Sequence, residues 1–147
     1  MYNSRAEVKL NDILFIRVGV GCIGRVAIVD CKKAIGIATD YIYIIRVKKI
    51  NPYFLTLYLK TKFSRDIINS LKHGVGTLSI NKVDLLSIPI PKVAIKKQRD
   101  IEKKYKAILI KWRHTISYNL DTSIYEKKME ELLSSIEEML YMSVNQS

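Results

Sequence analysis

The sequence FIRVGVGCIGRVAIVD, residues 15–30, contains Gly19, Gly21 and Gly24 in the spacing G-x-G-x-x-G. This spacing is typical of dinucleotide-binding sites, in which the third glycine begins a helix whose N-terminus faces the pyrophosphate. Here Gly24 is followed by RVAIVD, in which β-branched residues alternate as they do in a strand. The glycines are therefore predicted to form the turn of a β-hairpin, where a positive φ is needed, and a dinucleotide site is not favoured.

Short β-branched stretches on both sides of this turn predict a strand-rich sheet or small barrel. The predicted strands cover residues 13–18, 24–30, 34–38 and 42–47. Helical spacing then takes over, with Asn51 as N-cap and Pro52 as first helical residue. A second helix has Ser64 as candidate cap and stops at His73-Gly74, and a short helical turn is predicted from about Asn81 to Leu86. Pro89 and Pro91 then force an extended exit.

The segment after this exit is predicted to be wholly helical. Apolar residues recur every three or four positions from Ile101 to Leu120 and again from Met129 to Leu140. Ser123 and Glu126 form a possible capping box, so a break near residues 119–123 is also compatible with the pattern. The predicted fold is thus α+β: a small twisted β-sheet or partial barrel with packed helices, followed by a long C-terminal helix or a helical hairpin.

Charge divides the chain at a similar place. Residues 1–100 hold 18 Lys and Arg against 7 Asp and Glu, a net charge of +11, whereas residues 101–147 hold 7 against 7. A basic part joined to a charge-balanced helical part suggests a polyanion bound by the first and a protein partner bound by the second. Solubility alone is the simpler explanation of a lysine-rich composition.

Several function classes lack support in the sequence. Asn51-Pro52-Tyr53-Phe54 is similar to the Asn-Pro-Pro-Tyr motif of amino-methyltransferases, but a single proline and a capped helix account for it. The two histidines, His73 and His114, and the two cysteines have no metal-ligand spacing. We therefore predict no catalytic residues, no metal and no cofactor.

The localisation prediction rests on composition as well. No apolar run reaches the ~18 residues of a membrane helix, and the start MYNSRAEVKL lacks the apolar region of a secretory signal. With only two cysteines to form a disulfide, a reducing cytoplasm is the expected compartment.

Five segments in order carry a resemblance to a known family. They are KLNDILFIRVGVGCIGRVAIV, ATDYIYIIRV, NPYFLTLYLKTK, HGVGTLSINKVDLLSIPIP and KKQRDIEKKY, over roughly residues 9–110. Together they resemble the target recognition domain of a type I restriction-modification specificity subunit, specifically its distal part with the long spacer helix. The resemblance implies a partial, N-terminally short recognition domain at 1–92 and a helical spacer or dimerisation segment at 93–147.

The resemblance also implies partners and contact residues. Double-stranded DNA would be contacted by Lys and Arg at phosphates and by a glycine loop near bases. The candidate DNA-binding residues are Lys32, Lys33, Lys48, Lys49, Lys72, His73, Gly74, Gly76, Thr77 and Lys82. The helical segment would pack on DNA adenine methyltransferase (M) subunits, with the restriction (R) subunit as a further partner, or on a second copy of the chain. Its candidate interface residues are Tyr105, Ile108, Trp112 and Ile116, for which an intramolecular core is an equally good explanation.

Two function hypotheses follow. The first is a non-catalytic, sequence-specific DNA-binding component that directs methylation and restriction subunits to their target. The alternative is a protein-interaction or half-subunit fragment that dimerises or docks on a methylase through its helix without reading DNA by itself. Salt-dependent duplex binding distinguishes the first from the second.

Overall fold

The computed structural model of the protein describes residues 6–145 and has an α+β fold. The strands β1 (Ile13–Ile16), β2 (Val26–Ile28) and β3 (Ile42–Ile45) form an open antiparallel sheet in the order β2-β1-β3. Ile13 pairs with Ile28 on one side and with Ile45 on the other. The start of β1 therefore lies beside the ends of both neighbouring strands. We call the end of the sheet at which β1 starts the Asp12 end, and the end at which β1 finishes the Arg17 end.

The predicted hairpin between β1 and β2 is confirmed. Gly19, Gly21 and Gly24 have φ angles of 139°, 74° and 84°, a region that L-residues with a Cβ rarely occupy. Gly24 is required for a second reason, because a Cβ there would lie 2.6 Å from Cγ2 of Ile68. The glycine turn thus packs directly on the helix that carries Ile68, and a strand, not a helix, follows it.

The prediction of a strand at residues 34–38 is wrong. Lys32–Ala34 forms a short 3-10 helix, and the rest of the stretch makes a single antiparallel bridge between Ile37 and Glu7. Ile35 and Ile37 are 45% and 63% exposed, so their alternation does not mark a buried face. Among the described residues, this stretch is joined to the segment beside it by two backbone hydrogen bonds: Val8 N donates to Gly36 O, and Ala38 N donates to Ala6 O.

The helices that follow are α1 (Pro52–Lys60), α2 (Lys62–Ser70) and α3 (Lys82–Leu86). Asn51 Oδ1 accepts hydrogen bonds from the N–H groups of Tyr53 and Phe54, so the predicted cap of α1 is confirmed. The cap predicted for α2 is wrong, because Thr61 Oγ1 and not Ser64 occupies that position. Thr61 ends α1 and begins α2, and a single junction residue of this kind cannot be inferred from apolar spacing. α2 also ends earlier than predicted, at Ser70 with Leu71 as its C-cap.

The core of this part lies between the sheet and α1. Ile13 and Phe15 of β1 are completely buried, as are Phe54 and Leu57 of α1, and α1 packs on β2 and on α2. Each buried side chain of this size stabilises the fold by roughly 1.5–3 kcal/mol through removal of apolar surface from water. Tyr58 donates a hydrogen bond to the carbonyl of Pro89, 2.6 Å away, which fixes the extended exit beside α1.

The chain divides into two compact units, residues 1–90 and 91–147. The second contains α4 (Ile95–Ser117) and α5 (Ser123–Asn145), which pack on each other as a hairpin. This resolves the alternative left open by the sequence. The break near residues 119–123, one of the two alternatives, is present. Ser123 is the first helical residue and not the cap; Thr122 precedes it, and its hydroxyl donates to the carboxylate of Glu126.

Residues 1–5 of the predicted recognition domain and 146–147 of the helical segment lie outside the described residues. Among residues 6–145, no helix combines the length and the apolar character needed to cross a membrane.

Candidate nucleic-acid interface

A glycine loop projects from the Arg17 end of the sheet. His73 and Ser79 form an antiparallel bridge in which each N–H donates to the other's carbonyl over 2.8 Å, and residues 74–78 form the loop between them. Gly74 and Gly76 have φ angles of 117° and 84°. A Cβ on Gly74 would lie 2.7 Å from the carbonyl oxygen of Thr77, so the loop requires a glycine at this position.

This loop and the turn between β1 and β2 are neighbours. Val18 is bridged to Ser79, and Gly19 N donates to Leu78 O across 3.5 Å. Both loops carry the sequence Gly-Val-Gly, at residues 19–21 and 74–76. The valines between the glycines, Val20 and Val75, are 84% and 104% exposed. Two neighbouring turns thus present a valine each to solvent at the Arg17 end of the sheet.

Part of the predicted DNA-binding set lies together at this edge. Lys72 and His73 lead into the loop, Gly74, Gly76 and Thr77 belong to it, and Lys82 is the first residue of α3 directly after it. His73 Nε2 lies 2.7 Å from Oδ2 of Asp84, which joins the loop to α3. This contact occupies one ring nitrogen of His73 and leaves its side chain 61% exposed.

The other four predicted lysines lie elsewhere. Lys32 and Lys33 follow β2, and Lys48 and Lys49 follow β3, so both pairs come after strands that finish at the Asp12 end. All four are exposed. Within residues 6–145, neither these lysines nor Lys72 and Lys82 are in an ion pair, so no direct partner neutralises their charge.

An ion pair that the sequence analysis missed closes the Asp12 end. Asp12 is 1% exposed, and its carboxylate oxygens lie 2.7 Å from Nε and 2.6 Å from an Nη of Arg46. One oxygen also accepts the N–H of Lys9 at 2.7 Å. The hydrogen bond to Asp12 raises the pKa of Arg46 above its ordinary value. Asp12 and Arg46 are 34 residues apart, and only the strand register brings them together.

Arg17 is the second residue that the sequence analysis missed. It follows β1 at the edge that carries the glycine loops, and its guanidinium lies over the ring of Tyr43, 5.2 Å from the centroid. The signal available in the sequence was a cation two residues before the Gly-Val-Gly turn. Together with Lys82, Arg17 lines an open concavity of about 600 Å³ on the first unit.

The predicted partner-helix residues occupy different environments on α4. Tyr105 is 1% exposed, Ile108 and Trp112 are half-buried, and Ile116 is 59% exposed. Further apolar side chains are exposed around the tip of the hairpin: Tyr118 at 67%, Leu120 at 61% and Ile124 at 55%. Exposed apolar side chains also occur at the other end of the hairpin, at Ile95 of α4 and at Tyr141, Met142 and Val144 of α5.

Side chains that could bind a metal ion do not cluster in the described part of the chain. Residues 6–145 contain no group of three or more His, Cys, Asp or Glu side chains that could hold a metal ion. The carboxylate of Asp84 is paired with His73.

A small α+β unit with glycine loops and unpaired basic side chains, followed by a helical hairpin, is typical of a nucleic-acid-recognition protein. Comparison with known families is more specific: the model of the type I restriction modification DNA specificity domain matches residues 2–121. The chain belongs to this family. A specificity domain recognises DNA and is not an enzyme. No curated protein matches the chain at a significant level.

Proposed function

We propose that the protein is a sequence-specific DNA-binding component of a type I restriction-modification system. In this role it is cytoplasmic and directs methylation and restriction subunits to a target site on DNA. It has no catalytic activity of its own. The family match over residues 2–121 carries this proposal. The charge of the chain supports it, because residues 1–90 hold 14 Lys and Arg against 6 Asp and Glu, a net charge of +8.

The proposed DNA surface has two parts. The loop residues His73, Gly74, Gly76 and Thr77 contact base edges, and Lys72 and Lys82 beside them contact phosphates. The lysine pairs of the Asp12 end contact phosphates further along the duplex. A strand of four residues is about 13 Å long, and each strand of a DNA duplex carries one phosphate per about 3.4 Å of helix axis. One duplex can therefore reach both ends of the sheet.

The helical hairpin is proposed to dock on methyltransferase subunits or on a second copy of the chain, in the manner of a coiled coil. Its proposed interface includes Tyr105, Ile108, Trp112 and Ile116. The exposure of Ile116 and of the apolar residues at the hairpin tip supports this role, since exposed apolar patches on a charged helix commonly mark protein contacts.

A salt titration of duplex binding tests the DNA proposal. We expect the logarithm of the affinity to fall linearly with the logarithm of the salt concentration, because bound lysines release counterions from phosphates. The double change Lys72→Glu with Lys82→Glu should lower the affinity at least about tenfold and reduce the salt slope. The matched control is Lys103→Glu with Lys104→Glu, which makes the same charge change on exposed positions of α4.

Two results would contradict the proposal. One is binding that does not change with salt concentration. The other is an equal loss of affinity in both double variants, because that loss would reflect only the total charge of the chain.

A further inference from the structure

Arg17 is fixed through its backbone between two other segments. Its N–H donates to the carbonyl of Tyr41 across 2.9 Å, and its own carbonyl accepts the N–H of Ile80 across 2.9 Å. Tyr41 lies just before β3, and Ile80 follows the glycine loop. The Cα of Arg17 therefore has a defined position between the two.

The side chain of Arg17 is fixed as well. Nε donates to the carbonyl of Asp40 at 2.5 Å, and the guanidinium stacks over Tyr43, whose hydroxyl in turn bonds the carbonyl of Ile80 at 3.3 Å. Both terminal nitrogens of the guanidinium lack a hydrogen-bond partner among the residues that the structure describes. Four N–H bonds thus remain available on a fork whose orientation is already set.

The setting of this fork suits an anionic or polar polymer. It lies in the same concavity as Lys82, beside the glycine loops, and the concavity is open to solvent. A guanidinium held in this way has already lost most of its rotamer entropy, so little remains to be lost on binding. An exposed lysine must lose that entropy when it binds.

We infer that Arg17 contacts DNA and donates two parallel hydrogen bonds to a pair of acceptors on it. Two oxygens of one phosphate present such a pair, and so do O6 and N7 of guanine in the major groove. Lys82 adds a point charge next to this fork. The inference rests on the proposed DNA-binding function and assigns it a residue that the loop and lysine sets did not include.

The test uses a duplex that the wild-type protein enriches from a random-sequence pool. Arg17→Lys keeps the charge but loses the fork, and we expect its affinity for this duplex to fall about tenfold or more. Arg99→Lys is the matched control at an exposed position of α4, and its affinity should stay within about twofold. Tyr43→Leu removes the stacking platform and should lower the affinity while Arg17 remains.

Two further experiments distinguish the two possible acceptors on DNA, guanine and phosphate. If the acceptor is guanine, replacing one guanine by 7-deazaguanine weakens wild-type binding and leaves Arg17→Met, which has no donor, unaffected. If the acceptor is phosphate, Arg17→Met reduces the salt slope by about one and weakens binding to all duplexes equally.

The outcomes separate the inference from the function on which it rests. Wild-type binding with equal affinities of Arg17→Lys and Arg99→Lys overturns the role of Arg17 and leaves the DNA-binding function intact. Absence of wild-type binding to every duplex overturns both. A urea titration of Arg17→Lys accompanies these measurements, and a drop in its stability that matches the drop in affinity would show a structural role and overturn the inference.

Discussion

The Asp12–Arg46 pair stabilises the fold in an asymmetric way. Asp12 is buried, whereas the side chain of Arg46 is 51% exposed and can be hydrated without its partner. Loss of Arg46 therefore leaves a buried carboxylate unpaired, and loss of the Asp12 charge leaves a cation in contact with water.

We expect Arg46→Met to lower the free energy of unfolding by about 3 kcal/mol or more. Asp12→Asn should lower it by about 1.5–2 kcal/mol, since the amide still accepts the N–H of Lys9. Urea denaturation of the two variants gives this difference directly. Equal losses would mean that Arg46 is not the only source of compensation for Asp12.

Substitution of Gly74 tests the role of the glycine loop in DNA binding. Gly74→Ala places a Cβ against the carbonyl of Thr77 in a backbone conformation of positive φ, so the loop must change shape. We expect a loss of DNA affinity of about tenfold with a change in stability of about 1 kcal/mol or less. Gly36→Ala is the control, because a Cβ there meets no atom within 4 Å and its φ is ordinary. Unchanged DNA binding by Gly74→Ala would remove the loop from the proposed interface.

At the scale of elements, the cap of α1 is a separate source of stability. Asn51→Ala removes the acceptor of two backbone N–H groups and should cost about 1 kcal/mol or more. Asn51→Asp retains an acceptor at the same place and should cost less than half as much. Thermal or urea unfolding measures both, and an equal loss in the two variants would show that the amide and not the cap is required.

Lys60 at the end of α1 makes stability depend on pH. Burial, and to a smaller extent the charge of Arg65, lowers the pKa of Lys60 from its ordinary value of 10.5. Protonated Lys60 therefore disfavours the folded state below its folded pKa. As pH rises from that value towards 10.5, the unfolded chain binds more protons than the folded one and stability increases.

Lys60→Met should accordingly stabilise the protein at neutral pH, by about 0.5–1 kcal/mol. The advantage of the variant over the wild type should shrink as the pH approaches 10.5. Because burial also raises the pKa of Tyr58, the two proteins must be compared at each pH so that this second contribution cancels. A difference that does not vary with pH would contradict the assignment to Lys60.

The elements differ in how far they could be predicted. Asn51-Pro52 and Asn81 mark helix starts by local chemistry, and both helices begin there. β1, β2 and β3 follow from β-branched residues between turns. The stretch at 34–38 has the same alternation, but its isoleucines cover no core, which is a tertiary fact. Likewise, the register that joins Asp12 to Arg46, and Arg17 to Tyr43, depends on long-range pairing that no local spacing encodes.

At the scale of the whole molecule, each unit is proposed to carry its own activity. The proposed DNA-binding residues lie in residues 1–90, and the proposed docking surface lies on the hairpin of residues 91–147. The charge of the chain and the helical spacing of its second part suggested such a division from sequence. The choice between one long helix and a hairpin could be made only from the structure.

A charged substitution at the hairpin tip should therefore affect association only. We expect Ile116→Glu with Leu120→Glu to abolish binding to methyltransferase subunits, or self-association, while duplex affinity changes less than about threefold apart from the charge contribution. Sedimentation and duplex titration measure the two properties. Unchanged assembly in this variant would move the docking surface away from the tip.

Val20 and Val75 each lie between two glycines and are exposed, and neither has a positive φ, so L-amino acids other than proline fit their backbone. A library with every residue type except proline at these two positions should hence fold uniformly. The two turns at the Arg17 end can therefore serve as a scaffold for variable side chains. Pairs of residues at these two positions can be screened for ligand binding without a second selection for stability.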